Sequence, residues 1–137
     1  MSWDVALVKI SGDFRPIAEV EAEDYLPLGE PEVVRSAIRS AFPSAEWSNP
    51  SWAVYVAPGF EIEFSLEGLE SANSVILHVH GNGDPIPSLL KLSDANGWLA
   101  VDCSTGEFID PKNPSYEGWE GFKGLVQGIE GGSEGKS

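Results

Sequence analysis

The chain of 137 residues contains one cysteine, Cys103, so it can form neither an internal disulfide framework nor a multi-cysteine zinc site. Basic side chains are also scarce: 8 Lys and Arg stand against 22 Asp and Glu, a formal net charge of −14. A surface of that sign repels phosphate backbones, so no nucleic-acid partner is expected. No stretch approaches 18 apolar residues, and MSWDVALVKISGDF places acidic and aromatic residues where a signal peptide needs a basic start and a longer apolar run. The sequence therefore predicts a cytoplasmic protein with no membrane association. No motif asks for a cofactor.

What is present describes one globular domain. The composition is 42% hydrophobic and 10% aromatic, and a chain of this length buries roughly two-thirds of its unfolded surface. We place a single α+β domain over 1–129 and a flexible Gly-rich tail over 130–137, GIEGGSEGKS being too polar to pack. Acidity is uneven: residues 1–70 carry a net charge of −9, against −2 over 71–105 and −3 over 106–137. The densest run, AEVEAED, holds Glu19, Glu21, Glu23 and Asp24.

Periodicity predicts the elements. WDVALVKI reads as a strand, expected near an edge, followed by a long connecting segment over 14–30 with room for one short extended piece. EPEVVRSAIRSAFP reads as a helix: Pro31 opens it, Val33, Val34, Ala37, Ile38, Ala41 and Phe42 form an apolar stripe, and Pro43 ends it. WAVYVAP and FEIEFSLE form a hairpin through Pro58-Gly59. In the second, Phe60, Ile62, Phe64 and Leu66 alternate with Glu61, Glu63, Ser65 and Glu67, one face buried and one wet and negative. SVILHVHG reads as a central strand, 85–96 as a second helix capped by Asp84 and ended by Gly97, and WLAVDC with EFID as a last hairpin. Trp119, Phe122, Val126 and Ile129 outline a third, marginal helix. The order predicts a two-layer sandwich: a mostly antiparallel sheet of about five or six strands, with two or three helices on one face.

Several groups could carry chemistry. His78 and His80 share one strand face, and with Asp84 they could hold a metal. HVHGNGD resembles in part the His-x-His-x-Asp-His element of metallo-β-lactamase-like hydrolases, but Asp84 comes two residues late and the following His is absent. Asp84 has a sufficient role as a helix cap, so no metal is the first expectation and a small hydrolase or metal-dependent enzyme on His78, His80 and Asp84 the alternative. Cys103 alternates with Leu99 and Val101 and reads as a small buried residue rather than a nucleophile. GNGD before a helix could bind an anion through free amides, yet lacks the spacing of a phosphate loop. Asp102 with Asp110, or Glu61 with Glu63, could pair for acid and base chemistry, although nothing predicts a raised pKa, and no catalytic residue is assigned.

Five tryptophans exceed what a small core needs. Trp47 and Trp52 bracket the polar turn SNPS, and tryptophan beside carboxylates is the composition of a protein-binding hot spot with a steering rim. LHVHGNGDPIPSLLKLSDANGWLAVDCSTGEFID, with its strand, Gly-rich loop, Asp-Pro helix, Gly-Trp, strand and hairpin, resembles small acidic single-domain bacterial proteins encoded as immunity proteins beside polymorphic or contact-dependent toxins. That resemblance implies a non-enzymatic inhibitor that occludes a basic partner such as a toxin domain, with Glu19, Glu21, Glu23, Asp24, Trp47, Trp52, Glu61 and Glu63 as contact residues. A regulatory or scaffold subunit would share this composition. The oligomeric state is open.

Overall fold

The computed structural model describes residues 2–67 and 74–124. Its strands are β1 (Trp3–Ile10), β2 (Tyr25–Leu26), β3 (Glu46–Asn49), β4 (Trp52–Ala57), β5 (Phe60–Ser65), β6 (Val75–Gly81), β7 (Leu99–Asp102) and β8 (Glu107–Phe108). Helix α1 covers Pro31–Ala41 and α2 covers Ile86–Asn96, and residues 117–124 form a further helical segment. The fold is α+β: an eight-stranded antiparallel sheet with its helices against one face. No helix among the described residues is long and apolar enough to cross a membrane.

The sheet order is β3-β4-β5-β6-β1-β7-β8, with β2 paired to the far end of β1. β1 therefore lies at the centre and not near an edge. Trp3–Leu7 pair with β6 and Val5–Val8 with β7. Because β6 and β7 both run antiparallel to β1, the crossover through α2 leaves a slot between them. β1 fills it, satisfying the backbone groups of both neighbours.

Two strands beyond the expected five or six arise where the sequence is polar or short. Glu46–Asn49 belongs to a stretch that reads as a turn, yet it pairs with β4 through a bulge between Trp47 and Asn49 because Trp47 can pack against the core. Tyr25–Leu26 adds two residues beside Lys9 and Ile10, the one extended piece of the 14–30 segment.

Both helices form where expected, but α2 begins at Ile86 with Pro85, which offers no side-chain cap, rather than Asp84 at its N-terminal cap position. α1 starts on Pro31 and buries Val34 and Ile38, but Val33 is 58% exposed, so its apolar stripe is narrower than the sequence suggests. Phe42 follows it and packs its ring against Tyr55 and Phe64 at 4.7 and 5.2 Å. α2 ends at Gly97, whose φ of 68° is the left-handed conformation that glycine tolerates. Leu89 and Leu92 meet Leu7, Leu77 and Val79 in one core.

The C-terminal segment closes that side. Trp119 is fully buried, 5.4 Å from Trp3, and donates its Nε1–H to the Gly83 carbonyl at 2.9 Å. Gly118 lies on the Asp102 carboxylate so closely that a Cβ would collide with it, which explains glycine inside a helix. The remainder of the expected third helix and the tail over 130–137 lie outside the described residues.

Candidate functional site: the open face of the sheet

Alternation along each strand sends Val5, Leu7, Ile62, Phe64, Leu77 and Val79 under the helices. The intervening residues face the other way and stay half-buried: Asp4, Ala6 and Val8 on β1, Ile76, His78 and His80 on β6, Glu61, Glu63 and Ser65 on β5. Trp52 and Val54 continue this surface on β4, where Val56 is 69% exposed. It is an apolar sheet surface crossed by a polar strip.

Register builds the strip. Asp4 is opposite His78, His78 opposite Glu63, and Glu63 opposite Val54, while His80 is opposite Glu61 in the next row. His78 Nδ1 lies 2.8 Å from Asp4 Oδ1, which also accepts the Ser2 hydroxyl at 2.6 Å. His80 Nε2 reaches diagonally to Glu63 Oε1 at 2.9 Å. The Trp52 ring stacks on His78 with centroids 6.0 Å apart and planes 28° from parallel.

Among the described residues the strip is acidic without a Lys or Arg counter-charge. Lys9 is the only Lys or Arg in the eight strands, and alternation points it to the helix side. Arg15 pairs with Asp24, Arg35 and Arg39 pair with Glu32, and Lys123 pairs with Glu120. Against two imidazoles the face presents Asp4, Glu61 and Glu63, with Glu46 opposite Val54 at its margin.

Of the contact residues read from sequence, the structure brings together Trp52, Glu61 and Glu63. Trp47 is elsewhere. It lies opposite Ala53 on the helix side, under the Arg39 guanidinium at 4.9 Å, with its Nε1 buried and without a hydrogen-bond partner among the described residues. Glu19 and Glu23 are exposed in two 3-10 turns, Ile17–Glu19 and Ala22–Asp24, and Glu21 is exposed between them, near where Ile10 pairs with Tyr25. That places them about 20 Å along β1 from Asp4 and the histidines. Asp24 is half-buried, and the Glu21 backbone N–H, followed by Arg15, holds its carboxyl below the usual carboxylate range. The acidic run and the acidic strand face are thus separate surfaces.

The triad of His78, His80 and Asp84 is not assembled. His78 is engaged by Asp4, while Asp84 Oδ1 accepts the Ile86 N–H at 3.3 Å and its Oδ2 accepts the Tyr116 hydroxyl at 3.2 Å. Among the described residues, the group with donor atoms all within 4.8 Å of one another is instead Glu61, Glu63 and His80. The GNGD amides are also engaged: Asn82 and Gly83 donate to the Gly59 carbonyl at 3.0 and 2.8 Å.

Cys103 is not buried. It follows β7 in a turn as an exposed residue, because the face it shares with Leu99 and Val101 is the open one. Partial desolvation of its sulfur, then the Asp4 and Asp102 carboxylates, push the thiol up, the opposite of activation. Asp102 does not pair with Asp110. It is 4% exposed and accepts bonds from Trp3 Nε1 at 3.0 Å and from the Ser104 backbone N–H and hydroxyl at 2.9 and 2.6 Å.

Comparison with protein-family models, curated proteins and solved structures finds no match. The functional reading therefore rests on this face. Asp4 is the member that sequence reasoning missed. Its alternation with Ala6 and Val8 was visible, but its place beside His78 depends on β1 being central.

Proposed function

We propose that the protein is a non-enzymatic binding protein of the immunity type, which occludes a basic surface of a partner protein through the open face centred on Trp52, Glu61 and Glu63. One observation carries this reading: among the described residues, the half-exposed face of the sheet combines apolar side chains with carboxylates and its strands place no Lys or Arg on it. The carboxylates steer a basic partner into encounter, while burial of Trp52 and its β-branched neighbours slows departure. Occlusion requires no nucleophile, in keeping with a thiol whose pKa is raised. A cytoplasmic location belongs to the same proposal.

Affinity capture from the native lysate at low and high salt tests it, using the wild type beside Trp52→Ala and the double variant Glu61→Lys, Glu63→Lys. The wild type should retain a basic protein that salt releases. The lysine pair should slow its association and flatten the salt dependence, and Trp52→Ala should weaken binding by about 2 kcal/mol, roughly 30-fold. Equal retention by all three proteins, or no basic protein retained, would overturn the reading.

A further inference from the structure

We infer that Glu61, Glu63 and His80 form a surface site for one divalent transition-metal ion. The inference goes beyond the docking role and does not depend on it. Two carboxylate oxygens and one imidazole nitrogen lie within 4.8 Å of one another, and His80 Nε2 is already 2.9 Å from Glu63 Oε1. An ion bound at about 2.0–2.2 Å from each donor needs separations up to roughly 4.4 Å, so small rotamer changes close the site.

The backbone pre-orients these donors. Glu61 and His80 are direct cross-strand partners on the adjacent strands β5 and β6, and Glu63 is two residues further along the same face. Both strands have neighbours on each side, so the ladder fixes the spacing. The electrostatics favour a cation: Glu61 makes no hydrogen bond or ion pair among the described residues, and the two carboxylates share one imidazole with no Lys or Arg. Like charges side by side on a strand face are destabilising, and an ion would relieve that repulsion. All three residues are half-exposed, leaving water free to complete the coordination shell.

An imidazole with two carboxylates suits zinc, manganese or ferrous iron, and its nitrogen disfavours calcium and magnesium. Because the ion competes with a proton for the imidazole nitrogen, acid should weaken binding.

Calorimetric titration of the full chain with zinc chloride tests the site. We expect one ion per chain, about tenfold or greater weakening in His80→Ala and in Glu61→Gln, and an unchanged affinity in His78→Ala and Asp84→Ala. Calcium should give no saturable heat. No zinc binding, binding that survives His80→Ala, or equal loss in His78→Ala would overturn the assignment. Manganese-induced line broadening in the wild-type amide spectrum supplies a test that needs no variant. It should centre on residues 61–63 and 79–81, and broadening centred on 19–24 would refute the site.

Discussion

The two faces of the sheet are made from alternate residues of the same strands. On the helix side, Leu77 and Phe64 are fully buried; one residue away, Ile76, His78 and Glu63 remain half-exposed. One face is used for stability. The other keeps tryptophan, valine, carboxylate and imidazole side chains that the core does not need. Four of the five tryptophans follow the first pattern, being buried or half-buried on the helix side, whereas Trp52 alone lies on the open face. An excess of tryptophan is therefore mostly a matter of packing here, and the informative one is that which stacks on a histidine outside the core.

The sharpest way to test this contrast is to truncate neighbours on opposite faces. Leu77→Ala should destabilise the protein by about 3 kcal/mol in urea unfolding, from lost transfer energy and the cavity left behind. Ile76→Ala should cost under about 1 kcal/mol, and equal costs would mean that the open face is a second core. Asp102→Ala should cost about 2 kcal/mol by leaving the Trp3 indole N–H and the Ser104 amide without their acceptor. Gly118→Ala should cost about 1–2 kcal/mol by pushing a methyl group into that carboxylate, with the loss reduced when Asp102 is shortened to Ala in the same chain.

Two smaller effects concern the margins. Iodoacetamide should alkylate Cys103 more slowly than a free cysteine at neutral pH and accelerate as pH rises, since its thiol is pushed up. Asp24 titrates below the ordinary carboxylate value, so its contribution is complete above the unfolded-state pKa and is lost as pH falls through the lowered one. Asp24→Asn should remove that small part of the acid limb of stability, and an unchanged acid limb would show that the Glu21 N–H and Arg15 together contribute nothing measurable through this carboxylate.

Local patterns were legible in the sequence where one residue determines one outcome. Pro31 starts α1, Gly97 ends α2, and the Glu61–Glu63 alternation marks a wet face. Cys103 shows the limit: its alternation with Leu99 and Val101 is plain in the sequence, but nothing there says which face the helices cover. The same gap separated Trp47 from Trp52, since the bulge in β3 that turns Trp47 inward carries no proline or glycine to announce it. Long-range register was the other omission. His78 meets Asp4 across 74 positions, a pairing set by the insertion of β1 between β6 and β7 rather than by any local signal. The candidate site is therefore half local pattern and half topology.

Hydroxyl-radical footprinting of the free protein and of its complex with the partner retained at low salt tests the central claim most directly. Oxidation of Trp52, His78 and His80 should fall in the complex, while Val33 on the exposed side of α1 reacts as in the free protein. Unchanged oxidation on the open face, with protection appearing on α1 or over residues 19–24, would contradict the account.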